Sequence, residues 1–316
     1  MTGYLIRRIA QAIVVVFGVV LLTFILTKIV PGGAARAALG PKATPLQIQT
    51  YNNAHHYNVS IYQQFWIYIW DIVRHGYLGY SDKYNQSVRS LIQGRLPKTL
   101  VLVGISTIFA LLVSIPLGIL QVVRRNKPID YFLTGASFVG YAMPAFLLGE
   151  LLILWFALDL QWFPFEAPQA SSVWGILSDP QALVLPVVSL AVLTIAGFSR
   201  YMRSSMMEAL TEDYIRTARA KGAGPRRVLY RHALRNALIP IITLLGLTLP
   251  AIVGGAIITE TVFNYPGMGL LTTNAATQND IPLLIGTTFV AAIATVVGTL
   301  IADLLYAVVD PRVRYA

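Results

Sequence analysis

The residues of this 316-residue chain that could do chemistry are few and scattered. Glu150 and Asp303 stand within long apolar stretches, where burying an ionised carboxylate costs several kcal/mol and marks a functional candidate by default. Such acids serve as proton or sodium sites in ion-coupled carriers, line substrate paths, or close gates. Glu150 is the better path candidate, because no apolar neighbour satisfies its charge. Asp303 lies a few residues from a basic tail, where hydration or an arginine partner also accounts for it. Glu260 and Asp280 bracket one loop and suit an external gate or a partner interface. His55 and His56 are adjacent, so on a helix they would not share a face, and no cysteine or clustered carboxylate joins them to make a metal site. The chain has no cysteine, which excludes thiol chemistry. It has no Gly-x-x-x-x-Gly-Lys-Ser/Thr loop and no His-Glu-x-x-His, so neither nucleotide hydrolysis nor zinc hydrolysis is expected of it.

The densest signal is a basic run. Arg200, Arg203, Arg216, Arg219, Lys221, Arg226, Arg227, Arg231 and Arg235 surround the segment Asp213-Tyr-Ile-Arg-Thr-Ala-Arg-Ala-Lys-Gly222. Thr211 is placed to cap a helix here, with Glu212 and Asp213 against the positive end of its dipole. Lys221 and Gly222 suit its exit, and Pro225 suits the first turn of a second helix. Such a helix spans about ten residues, roughly 15 Å. Tyr214, Ala218 and Lys221 would share one face, flanked by Ile215, Thr217 and Arg219. A short capped helix of small residues can insert into a partner as a rigid knob. Attraction to anionic lipid heads explains the arginines equally well, but gives no reason for the cap, the glycine stop or the alanine at the contact position.

Composition dictates what must carry these residues. Of the chain, 56% is apolar and only 12% charged, with a mean hydropathy of +0.64; a soluble fold of this size needs about twice that charge. Six apolar segments, at 9–30, 99–123, 131–158, 183–198, 237–259 and 283–309, are long enough to cross a bilayer. Sixteen of the 24 Lys and Arg lie in the amino-terminal stub, the second and fourth connections and the tail. None lies between 158 and 183 or between 259 and 283. By the positive-inside rule both termini are cytoplasmic. The formal net charge of +10 is therefore a topology signal, with no nucleic-acid partner implied. A cleavable signal peptide is the competing reading of the start, with Ala35-Arg36-Ala37 as cleavage site, but the first apolar run is too long for a signal core. The expected organisation is a stub and first span over 1–30, an extracytoplasmic region over 31–98 and a core over 99–316, with the basic loop at 199–236.

In the outer region, Ile61, Tyr62, Phe65, Trp66, Ile69, Trp70 and Val73 recur at helical spacing. They suit either a helix lying on the membrane interface or a docking surface. Pro116, Pro144, Pro186 and Pro250 fall within or at the ends of spans, where they bend helices or are accommodated by neighbours. Gly246, Gly254 and Gly255 favour close packing of the fifth span.

The segment 213–222, followed by His232-Ala-Leu-Arg-Asn-Ala-Leu-Ile-Pro240, resembles the coupling loop of the peptide and nickel permease family of ABC importers. Arg216-Thr217-Ala218 stands where Glu-Ala-Ala is usual in ABC permeases, and Leu234-Arg235 stands where Leu-Pro is usual; both departures match the peptide subgroup. Gly76-Tyr-Leu-Gly-Tyr-Ser81, Gly140-Tyr-Ala-Met-Pro144, Thr259-Glu-Thr-Val-Phe-Asn-Tyr-Pro-Gly-Met-Gly269 and Ala302-Asp-Leu-Leu-Tyr-Ala-Val-Val-Asp-Pro311 are similar to the first permease subunit of dipeptide and oligopeptide importers. The resemblance implies an all-α integral membrane permease of six spans, with a large outer loop after the first and a coupling helix between the fourth and fifth. It further implies a second related permease, two cytoplasmic ATPases that hold the ATP and magnesium, and an external binding protein. Asp213, Tyr214, Ile215, Arg216, Thr217, Ala218, Lys221 and Gly222 would dock on an ATPase. Met143, Pro144, Glu150 and Glu260 are the candidates for the path. No cofactor or metal is expected in the chain itself, and an ion-coupled secondary carrier is the alternative.

Overall fold

The computed structural model describes residues 2–28, 33–40, 42–254 and 256–309. Helix α1 (Thr2–Lys28) carries the first apolar segment. The long connection after it folds into α2 (Gly33–Leu39), α3 (Pro45–Ala54), α4 (Ile61–His75) and a small antiparallel ribbon, β1 (Tyr80–Ser81) with β2 (Gln86–Ser87). Thr44 with Gln47, and Ser60 with Gln63, start α3 and α4 as capping boxes that satisfy orphan N–H groups reciprocally. There follow α5 (Val88–Val123), α6 (Pro128–Ala142), α7 (Ala145–Leu152), which runs on as wide π-turns to Asp159, and α8 (Val173–Leu177). The remainder is α9 (Pro180–Thr211), α10 (Asp213–Ala220), α11 (Pro225–Arg227), π-turns over Val228–Ala233, α12 (Leu234–Gly254), α13 (Ile257–Val262), α14 (Met268–Thr277) and α15 (Ile281–Val309).

Among the described residues, α5, α9 and Ile281–Ala302 of α15 are each long and apolar enough to cross a bilayer. The pair formed by α6 and Ala145–Asp159, bent by 107°, makes a fourth span when taken together, and Ala10–Leu26 is a shorter apolar helix. The third expected segment is thus broken. Met143, preceding Pro144, takes extended backbone (φ −74°, ψ 126°), as residues before proline do, and a fresh helical ladder starts when the Leu148 N–H reaches the Pro144 carbonyl at 3.0 Å. Pro116 and Pro186 lie instead inside continuous helices. Two helices overrun their expected ends: α5 begins at Val88, so the partition at residue 98 passes through it, and α9 continues to Thr211. Hydropathy marks where a helix leaves an apolar surrounding; its hydrogen bonds continue through Arg200, Arg203 and Glu208.

The aromatic stripe of α4 does form a helix, but it splits between two faces. Phe65 is buried edge-on against Phe17 (4.7 Å) and Phe24 (6.0 Å) of α1, whereas Tyr62, Trp66, Trp70 and Val73 are exposed. One apolar cluster, holding Leu102, Leu148, Ile176, Leu183, Phe263 and Tyr265, fills the end away from the basic connections. A second, holding Ile119, Phe198, Met202, Met206, Ile215, Val228 and Ala237, fills the basic end. Gly246 packs against Ala302, where an added Cβ would lie 3.0 Å from the Ala302 Cα. Gly255, Arg312, Arg314 and the side chains of Gly254 and Asp303 lie outside the described residues.

Candidate coupling site

Helix α10 is eight residues long, about 12 Å at 1.5 Å per residue. Its start differs from the expected one. Thr211 is the last residue of α9 and donates its hydroxyl to the Glu208 carbonyl at 2.8 Å, because α9 runs about three and a half turns beyond its apolar segment. Glu212 occupies the N-cap position with no side-chain cap bond, and Asp213 supplies the negative charge in the first turn. The two helices therefore share a single-residue joint. At the other end the Ala223 N–H bonds the Ala218 carbonyl (3.0 Å) and the Gly222 N–H bonds the Arg219 carbonyl (2.9 Å), with Gly222 at φ +82°. This paired pattern is the Schellman stop, and it requires a left-handed residue where glycine stands. Pro225 opens α11, as its position predicts.

Ile215 is fully buried and Ala218 nearly so. Ile215 belongs to this chain's own cluster with Met202, Met206, Val228 and Ala237. Ala218, expected at the contact position, thus turns inward with Ile215, because the two residues three apart share the one apolar stripe of the helix. Burying the Ile215 side chain contributes about 2 kcal/mol. Tyr214, Arg216, Thr217, Ala220 and Lys221 form the exposed face. An exposed ion pair, Arg216 Nη1 to Asp213 Oδ1 at 3.2 Å, crosses it. Beside this face an open groove of about 510 Å³ is lined by Tyr214, Arg231, His232, Arg235, Asn236 and Ile239.

The path candidates do not converge. Met143 is half-buried and Pro144 exposed at the 107° bend. Glu150 is exposed on α7. Glu260, just beyond the fifth expected span, is fully buried. Its Oε1 accepts the Thr99 hydroxyl at 2.7 Å, and its Oε2 accepts the N–H groups of Gly269 (2.7 Å) and Leu270 (3.1 Å). Thr99 Oγ1 in turn accepts the Met268 N–H at 2.8 Å. One carboxylate and one hydroxyl therefore satisfy the first-turn donors of α14. A Cβ at position 267 would fall 2.4 Å from that carboxylate, so only glycine fits there. Burial pushes the Glu260 pKa above the ordinary carboxyl value, against the pull of its three donors. Asp280 is likewise buried and raised by burial; it accepts the hydroxyl of Ser81 and the Leu283 N–H (3.3 Å), tying β1 to the start of α15.

His55 lies tilted against Tyr51 at 4.2 Å, stacks on Tyr57 at 5.8 Å and lies 4.0 Å from Asp82, and no group of three or more metal-ligating side chains gathers among the described residues. One feature escaped sequence reading. Asp130, with 2% of its side chain exposed, receives Arg203 Nε and Nη2, both at 3.0 Å. The only linear signal for it is a lone acid two residues after Pro128, at the start of a helix.

Long apolar helices, with a short amphipathic helix at the basic end, define the class of a multi-pass membrane protein. The sequence comparisons give the family. Residues 114–315 match the family of binding-protein-dependent transport system inner membrane components, and residues 1–103 match that family's N-terminal domain. The chain is 39% identical over 316 residues to the oligopeptide transport system permease protein AppB of Bacillus subtilis, covering all of both chains. It is 34% identical to the oligopeptide permease OppB of Haemophilus influenzae, and 34% identical to the dipeptide permease DppB of Alkalihalophilus pseudofirmus, again over the whole of each. The chain belongs to this family of ABC importer permeases, which decides against the ion-coupled carrier.

Proposed function

We propose that the chain is one half of the translocation path of an ATP-driven peptide importer. Six spans cross the membrane with both termini cytoplasmic: α1, α5, the bent pair of α6 and α7, α9, α12 and α15. A second related permease completes the path, an external binding protein delivers the peptide, and two cytoplasmic ATPases bind ATP and magnesium and drive the cycle. The exposed face of α10, with Tyr214, Arg216, Thr217 and Lys221, seats in an ATPase, while Ile215 and Ala218 fasten the helix to the permease and Gly222 ends it. Met143, Pro144 and Glu150, around the bend in the third span, are offered as the path-facing group. Glu260 closes the far end by holding α14.

The observation that carries this reading is a helix whose apolar side is bound into its own chain while its polar side stands free, joined through Glu212 alone to a long helix. A displacement of such a helix is passed to the span as a lever. The test is reconstitution of the purified complex in vesicles. Tyr214→Ala combined with Thr217→Arg, both on the exposed face, should leave the permease folded and inserted while abolishing ATPase co-purification and peptide uptake. Normal assembly and uptake by that variant would refute the docking face; uptake against a gradient by the chain alone would refute the whole reading.

A further inference from the structure

Two helices and the turn between α5 and α6 meet on one buried carboxylate. Asp130 sits in the first turn of α6, where its charge faces the positive helix end, and its Oδ2 accepts the Asn126 N–H at 3.1 Å, closing the turn from α5. From α9, Arg203 grips both its oxygens through two parallel bonds of 3.0 Å. Gln121 of α5 reaches the same turn through Thr134 at 3.1 Å. A bidentate guanidinium–carboxylate pair fixes direction as well as distance, which a lysine at this place would not do. Breaking it leaves an uncompensated charge at a buried site.

The pair is the lowest rung of a ladder. Above it Ser137 and Ser199 approach to 3.3 Å, Arg200 lies 4.5 Å over the Phe138 ring and 5.8 Å from that of Tyr141, and the Gly140 backbone lies against Ala196 and Val192. The polar and ring contacts stop where α6 stops, at the Met143–Pro144 bend; past it α7 packs on α9 through apolar side chains alone, Leu148 and Leu152 with Leu183, Leu185 and Val187. Below Arg203, α9 runs eight residues, about 12 Å, to the Glu212 joint and α10.

We propose that Asp130 and Arg203 form a strut that makes α6 and α9 one rigid body, so that movement of α10 is delivered undiminished to the bend in the third span. The two are positioning residues for transport, and this rests on the reading of α10 as the coupling helix. The strut stays closed throughout the cycle, and the bend absorbs the change.

Because the chain has no native cysteine, the ladder can be locked selectively. In the full complex reconstituted with its ATPases and binding protein, Ser137→Cys with Ser199→Cys is oxidised by an added oxidant. ATP-driven uptake of a radiolabelled dipeptide and a pentapeptide, and ATP hydrolysis stimulated by binding protein, are then measured. Locked helices that already move together should transport within about twofold of the reduced protein, whereas Asp130→Asn and Arg203→Gln should lower peptide moved per ATP about tenfold while hydrolysis continues. Arg203→Lys should fall between. A merely structural role would lower yield and thermal stability but leave peptide moved per ATP unchanged, and that result overturns the strut. Arrest of transport by the oxidised pair also overturns it, since the helices would then have to slide; this arm decides even if Asp130→Asn does not assemble. If the native complex moves neither peptide, the substrate reading fails on its own, and stimulated hydrolysis in the locked complex, retained or lost, still decides the strut.

Discussion

At the basic end, α10 is fastened by two apolar side chains and turns its charges outward. At the far end, the turn from α13 to α14 hides its one charge completely and closes its backbone around it. The first arrangement leaves a polar surface free for a partner at little cost, because Ile215 and Ala218 are hydrophobic and ask for no hydrogen bond. The second commits its carboxylate to three donors of its own chain and buries it completely, so Glu260 does not meet a passing substrate or ion in this conformation. A charge near a membrane is thus a handle in one place and a structural cap in the other. What separates them is whether backbone N–H groups within the same chain claim it.

The comparison is broken or sharpened by substitution, beginning with the largest effect. Glu260→Ala strands two backbone donors and a hydroxyl in a dry site; a loss of about 4 kcal/mol is expected, seen as a collapse of the thermal midpoint in detergent and as absent uptake. Ile215→Ala should cost about 3 kcal/mol and release α10 to limited proteolysis, with the far end still protected. Gly222→Ala forces a side chain into left-handed backbone at about 1 kcal/mol, lowering ATPase co-purification more than yield. A pH series separates the two ends further. Glu260 and Asp280 are raised in the folded chain, so their contribution to stability is full below the ordinary carboxyl pKa and is lost as pH rises through the raised values. The thermal midpoint should therefore fall from about pH 4 upward, and Glu260→Gln should flatten that slope. Arg216→Ala, which removes only an exposed ion pair, should leave the midpoint unchanged.

Much of this was legible in the linear chain. The apolar segments located the long helices, and Gly222 with Pro225 located the end of α10 and the start of α11, because a left-handed stop and a fixed φ are local demands. Register and partners were not legible. Thr211 resembles an N-cap by type, but whether it caps or continues a helix depends on the turns before it. Ala218 is small enough to be contact or core, and only its burial beside Ile215 decides. Asp130 and Arg203 are 73 residues apart, and no spacing rule joins them. Glu260 reads as a gate or path residue from its place beside an outer loop, and nothing linear shows that its donors come from Thr99, far away in the chain, and from a turn that closes on itself.

Helix α5 has 36 residues, about 54 Å of unbroken rod, against a hydrocarbon layer of about 30 Å. The surplus length is spoken for: Val88, Leu91 and Ile92 at its start are buried with Met268 and Leu271 of α14 and Leu283 of α15. One continuous helix therefore belongs both to that cluster and, through Ile119, to the one that holds Ile215, so the two ends of the molecule share a single backbone.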